Sequence, residues 1–261
     1  MRRPALAVVA LVALAALTAP WLAPYGQAEG VLRDRLLPPG SAGHLLGTDG
    51  QGRDLLSRLI WGARPSLLGG VLPVGFALLA GTVLGIAAGL GPRPLENLIM
   101  RLLDVLYAFP AVLLAIAIAS ALGAGPAGTV VSLSIVLTPA VARVVLTEVA
   151  AIRSADFMEA ARASGARGHV IALRQVVPNV LPAALTYCTA LVGLAVVYAA
   201  GMSFLGLGVA PPAAEWGSML NELRQYAFSA PWVAAVPAVV VLVVSAAFTA
   251  LGHTGGERSV R

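Results

Sequence analysis

Side chains able to carry chemistry are sparse in these 261 residues. There is one cysteine, Cys188, there are three histidines, His44, His169 and His253, and there is no lysine. Cys188 lies in an apolar run, has no partner for an internal disulfide, and a single thiol makes no metal centre. The histidines fall in three different polar segments without metal-ligand spacing. Ser203, His169 and Glu215 are the residue types of a nucleophile, a base and an acid, so an intramembrane enzyme is one hypothesis. A phosphate-cradling loop of the Gly-x-x-x-x-Gly-Lys-Ser/Thr type is excluded, because it needs a lysine. The expectation is a chain with no catalytic residue, no metal and no cofactor of its own.

The longest polar interruption is EAARASGARGHVIALRQVVPNVLP, from Glu159 to Pro182. Three arginines, a histidine, two glycines and two prolines break nearly continuous Ala, Val and Leu. Ser154 is suited to cap a helix, with Asp156 in a first turn that favours negative charge. Ala155–Ser164 is rich in helix formers, Glu159 and Arg162 are spaced to pair across a turn, and Gly165 suits a left-handed stop. A second short helix is expected over roughly 167–176, ended by Pro178. Ala160, Ala161 and Ala163 leave the first helix smooth, while Phe157 and Met158 give it an apolar anchor. Docking in a protein groove and lying on lipid headgroups both fit this pattern.

The elements that must position this stretch are membrane helices. The composition is 59% hydrophobic and 11% charged, with a mean hydropathy of +0.88; soluble domains run at about 25% charged. Charge-free runs cover 4–28, 65–92, 105–142, 175–214 and 225–256. A spanning helix takes roughly 20 apolar residues, and Gly123-Ala-Gly-Pro126 supplies a turn inside the third run. Six spans are expected, at roughly 5–23, 67–90, 98–121, 127–147, 180–205 and 231–251. The short alternating strands of a membrane barrel are absent. The first run also resembles a secretory signal, but its length and the lack of a clear cleavage site favour an uncleaved anchor.

With the amino terminus in the cytoplasm, 11 arginines lie inside and 6 outside, as the positive-inside rule requires. The 159–182 stretch and both termini then face the cytoplasm. The arginines flank membrane spans rather than forming one stripe, which argues against a nucleic-acid partner. RDLLSRLIWGAR (Arg53–Arg64) places Leu55, Leu56, Leu59 and Ile60 on one face, and is expected to be an interfacial helix on the outer surface. Trp61, Trp216 and Trp232 are expected as interface anchors. Asp104 is expected to pair with Arg101. No charge falls at a span midplane, so weakly polar Ser120, Ser132, Ser134 and Thr138 are the expected pathway lining.

EAARASG followed by VVPNVLP resembles the EAA loop of permease subunits of binding-protein-dependent ABC importers: Glu159, Ala160, Ala161 and Gly165 match, with Val176-Val177-Pro178 at the aliphatic-Leu-Pro position. LGTDGQGRDLLSRLIWGARPSLL (Leu46–Leu68), MSFLGLGVAPPAAEWGSML (Met202–Leu220) and APW (Ala230–Trp232) are similar to further blocks of the peptide/nickel branch. Four blocks in order, over about residues 45–250, carry the resemblance. The tail GHTGGERSVR departs from the usual Asp-rich ending.

The resemblance implies an all-α integral membrane protein with about six spans and the type I importer (MetI-like) permease fold. An anchor, outer loop and interfacial helix would occupy residues 1–62, the permease domain 63–252 with a coupling loop over 148–178, and a cytoplasmic tail 253–261. It implies a second homologous permease, two ATP-binding subunits using ATP and Mg, an extracytoplasmic solute-binding protein and the lipid bilayer of the inner membrane as partners. Phe157, Glu159, Ala160, Ala161, Gly165 and Pro178 would carry ATPase coupling. Ser203, Phe204, Gly206, Gly208 and Trp216 are candidates for an outer gate or binding-protein contact, or for a tight helix end. Peptides are the first cargo, with nickel or a metal chelate the alternative; an ion-coupled secondary carrier is the remote one.

Overall fold

A computed structural model describes residues 2–259, with side chains for 3–253. Ten α-helices are described: α1 (Arg2–Leu22), α2 (Leu55–Leu90), α3 (Arg93–Tyr107), α4 (Ala111–Leu122), α5 (Pro126–Ile152), α6 (Asp156–Ala163), α7 (Gly168–Ile171), α8 (Val177–Phe204), α9 (Trp216–Leu223) and α10 (Pro231–Ser259). Five helical stretches are long and apolar enough to cross a membrane; α3 and α4, bent at 89°, add a sixth only if the pair counts as one span. The barrel alternative has no support, since the described residues contain only isolated bridges and no strands.

The core is the α2–α5 pair, flanked by α8 and then α10. Gly81, Gly85 and Gly89 make a small-residue stripe along α2, against Val141, Val145 and Val149 of α5. A Cβ on Gly85 would meet the Ala142 carbonyl oxygen at 2.7 Å, so the backbones touch as small-xxx-small helix pairs do in lipid.

Several helix boundaries differ from expectation. The interfacial helix over Arg53–Arg64 and the second span are one 36-residue helix, α2. Asp54 starts it by accepting from the Ser57 N–H at 2.7 Å and the Ser57 hydroxyl at 2.7 Å. Its polar side does not face water: Ser57 and Arg58 are fully buried.

The third span is broken between Tyr107 and Ala111, where α3 and α4 meet at 89°. Pro110 supplies no N–H and disfavours helix at Phe109. Pro178, conversely, does not stop a helix. Gly168–Phe204 is continuous because a π-turn over Ala172–Val176 precedes the proline; such a bulge re-pairs backbone groups locally.

Two ends of the bundle result. One gathers the 23–54 loop, the 123–125 turn and the segment 205–230: Gly125 N–H donates to Leu207 O at 2.9 Å, and Val31 N–H to Gly52 O at 3.3 Å. The other gathers α6, α7 and the starts of α1 and α3. Gly193 and Gly252 pack α8 against the late turns of α10, so the described end of α10 lies toward the α6 end.

Candidate coupling loop and the opposite mouth

α6 is built as its sequence suggests, with one change at each end. The N-cap is Ala155, without a side-chain cap, rather than Ser154. Asp156 and Glu159 still occupy the first turn, where the helix dipole favours them. At the other end Gly165 adopts φ +77°. Its N–H donates to Arg162 O at 3.0 Å and the Ala166 N–H to Ala161 O at 3.2 Å, which together form a Schellman stop.

The two apolar residues at its start divide. Met158 is fully buried and anchors the helix, while Phe157 is 39% exposed. Glu159, Ala160, Arg162 and Ala163 are exposed and Ala161 is half-buried. The Glu159–Arg162 pair does not form among the described residues; Arg162 Nη2 reaches the Arg153 carbonyl at 3.4 Å. Glu159 is exposed, with no ion-pair partner among the described residues. Pro178 is exposed at the first turn of α8, next to the π-turn.

The opposite end is cross-linked in depth. Asp49 receives Arg53 Nε at 2.6 Å, Arg58 Nη1 at 2.6 Å and the Arg53 N–H at 3.0 Å. Arg58 Nη1 also donates to Glu222 Oε2 at 2.9 Å, and Arg53 Nη2 bonds the same carboxylate. Burial opposes ionisation of Asp49, but the Arg53 N–H and the two guanidiniums more than offset it, holding the carboxyl below the usual range. Of these residues the sequence places Arg53 and Arg58 on an interfacial helix at the outer surface, and Glu222 is too distant along the chain to be signalled.

A second polar tie adjoins it. Glu215, 3% exposed, caps α9 by accepting from Gly217 N–H at 2.9 Å and Ser218 N–H at 2.8 Å. Ser66 Oγ donates to Glu215 Oε1 at 3.0 Å and accepts from the Trp216 N–H at 3.0 Å. Trp216 is no interface anchor: it is 1% exposed, and its indole N–H donates to Leu59 O at 3.0 Å. Trp61 is half-buried, donating to Tyr25 O at 3.1 Å.

Ser203, Gly208, Ser66 and Glu215 line a mainly apolar cavity of about 340 Å³ between α2, α5 and α8. Gly208 is there of necessity, since a Cβ would fall 1.9 Å from Ser203 Oγ. Gly206 takes φ +83° in the turn after α8. Phe204 is half-buried under the Arg224 guanidinium, 5.7 Å from its ring centre.

His169 is not part of this group. It lines a cleft of about 400 Å³ between α2 and α7–α8 at the other end. Some 50 Å of continuous helix at 1.5 Å per residue separates it from Ser203, so the three-residue enzyme hypothesis has no geometry. The expected pathway residues mostly bond their own helix: Ser132, Ser134 and Thr138 each donate to a carbonyl three or four residues back. Asp104 pairs with Arg143, across to α5, rather than with Arg101. The Arg143 guanidinium also sits 4.4 Å from the Tyr107 ring centre.

A bundle of apolar spans, with a smooth exposed helix at one end and a small mouth closed by buried polar ties at the other, defines a multi-pass membrane permease. The chain belongs to the family described as binding-protein-dependent transport system inner membrane component, whose model matches residues 81–253. It is 42% identical to the di/tripeptide transport system permease protein DppC of Pseudomonas aeruginosa, over 93% of this chain and 82% of that one. It is 38% identical to the glutathione transport system permease protein GsiD of Pectobacterium atrosepticum, over 94% and 81%. Among solved structures, the inward-facing MetNI methionine ABC transporter superposes with a TM-score of 0.64 at 19% identity, over 79% of this chain and 98% of that one, which shows the shared fold. The chain is thus an inner-membrane permease subunit of an ABC importer, and ATP is used by separate subunits.

Proposed function

We propose that this permease imports short peptides, and that α6 is the element through which ATP hydrolysis drives it. The exposed face of α6 carries the proposal: Phe157, Glu159 and Ala160 point away from a helix that one buried residue, Met158, ties to the bundle. A face of small side chains lets another backbone approach closely, and the Gly165 stop holds its geometry. Because the chain has no lysine for a phosphate loop, power must enter through such a contact. Pro178 and the π-turn beside it join α6 to α8.

The α6 end is assigned to the cytoplasm, with both termini, by the arginine balance. The working complex would contain a second homologous permease, two ATP-binding subunits holding ATP and Mg, and an extracytoplasmic solute-binding protein, with no cofactor on this chain. Residues 1–62 would form the anchor and outer unit, 63–252 the permease domain with its 148–178 loop, and 253–261 the tail. Ser203, Phe204, Gly206, Gly208 and Trp216, around the cavity and its turn, would form the outer gate or seat the binding protein. The relatives named for di/tripeptides and glutathione favour peptides over nickel or a chelate.

Gly165→Val tests coupling, because a β-branched residue is strained at positive φ while nothing lies within 4 Å of the new Cβ. The variant is expected to insert and assemble normally but to lose peptide uptake while ATP hydrolysis persists. Unchanged uptake would refute the role of α6. Calorimetric titration of the cognate binding protein is expected to show short-peptide binding; binding of Ni²⁺ alone would reverse the cargo assignment.

A further inference from the structure

The broken third span gives α3 a different task from the helices around it. α3 runs at 89° to α4, so it does not continue the path of α4 through the bilayer. Its surface divides into three sectors. Leu103 is buried, and Ile99 and Leu106 half-buried, on the side packed against α2 and α5. Arg93, Asn97, Arg101 and Asp104 form an exposed polar sector. Leu95, Leu98, Leu102 and Val105 form an exposed apolar one, with Leu102 at 62% and Val105 at 59% exposure. A helix wholly within hydrocarbon would not carry the polar sector, and one wholly in water would not carry the apolar one.

Its depth is fixed by one contact. Asp104 on α3 pairs with Arg143 on α5, and Tyr107 lies against the same guanidinium. Arg143 is about 26 Å along α5 from Pro126, at 1.5 Å per residue, close to the roughly 30 Å thickness of the hydrocarbon layer. The pinned edge of α3 therefore sits at the membrane boundary on the α6 side.

We infer that α3 is an interfacial helix lying along the leaflet at the α6 end, with Leu95, Leu98, Leu102 and Val105 dipped into the acyl chains and Arg93 and Arg101 among the phosphate headgroups. Lipid is the occupant the pattern selects. The apolar and cationic sectors are adjacent, as a water–lipid boundary requires, and both cationic side chains are exposed. The Asp104–Arg143–Tyr107 contact then ties this surface element to α5, one of the two central helices of the bundle.

Spin labels in the assembled importer, reconstituted in phosphatidylethanolamine–phosphatidylglycerol vesicles, test this. On a Cys188→Ala background, labels are placed singly through Leu98→Cys, Leu102→Cys and Asn97→Cys. Leu95→Cys or Val105→Cys replaces either apolar-face variant that fails to assemble. Collision with oxygen is expected to exceed collision with a soluble nickel chelate several-fold at the apolar-face positions, with the order reversed at 97. Low accessibility to both probes at the apolar face would overturn the inference by showing that protein, such as the second permease, covers it. Nickel-dominated collision there would overturn it by placing the face in water.

Discussion

The two ends of this molecule are held together by different means. The end that gathers the 23–54 loop is tied within the chain: Asp49, Arg53 and Arg58 pair in burial with one another and with the half-buried Glu222, and Glu215, Ser66 and Trp216 tie α2 to α9. At the other end α6 keeps one buried residue, Met158, and its backbone bonds are local. A buried ion cluster stays in place only while every charge is compensated, which suits a part that must hold its shape. A short helix with an outward face is stable enough to be positioned and open enough to be gripped. On the proposal that α6 is the coupling element, the difference separates what the chain finishes by itself from what it leaves for a partner.

The strongest way to break this contrast is at the ion-paired end. Arg58→Ala leaves Asp49 and Glu222 short of charge in a buried site, and removing one partner of a buried pair costs about 3–5 kcal/mol. Its expected outcome is a large fall in melting temperature and in recovery of monodisperse protein, read by fluorescence-detected size exclusion. Next, Gly85→Val forces a side chain between α2 and α5, where overpacking costs roughly 1–3 kcal/mol, and thermal unfolding should show a smaller loss. Trp216→Phe removes the indole bond to Leu59 O while keeping most of the ring, and should cost about 1 kcal/mol by the same assay.

Acid gives a subtler probe. The Asp49 carboxyl is held below its ordinary value, so its stabilising share is present above the unfolded-state pKa and is lost as pH falls through the lowered folded-state value. Melting curves from pH 8 to 5 should show no pH dependence from this group, whose share is fully present throughout that range. Below pH 4, on the ordinary value of 3.8, the native chain should lose stability more steeply than Asp49→Asn. The smallest structural effect is expected at the α6 end: Glu159→Gln should shift stability by less than about 0.5 kcal/mol yet lower peptide uptake. A large loss of stability there would erase the contrast between the ends.

Much of the design was legible in the residues. The membrane spans followed from charge-free length, and the α6 helix from its alanines, its acidic first turn and Gly165. The misreadings have a common physical origin. Arg53–Arg64 looks like a surface helix because five of its twelve residues are charged or polar; Asp49 and, from far along the chain, Glu222 make the burial of Arg53 and Arg58 tolerable. Asp104 looked paired with Arg101 by helical spacing, but the packing of α3 on α5 offers it Arg143 instead. Pro178 was read as a stop because local rules know nothing of a π-turn upstream. Trp216 reads as a lipid-surface anchor, yet it is buried with its indole N–H bonded to Leu59 O, 157 residues back along the chain.

By itself the sequence determined the solvent of this protein, the number of its apolar segments, the missing phosphate loop and the positive-φ stop at Gly165. Each is a property of neighbouring residues or of composition, set by transfer energy and by backbone sterics. Only the tertiary structure decided which charges were buried together, that α3 and α4 meet at 89°, and that Met158 is buried while its neighbour Phe157 is exposed. Those outcomes depend on partners distant in the chain, and no local pattern encodes where such partners arrive.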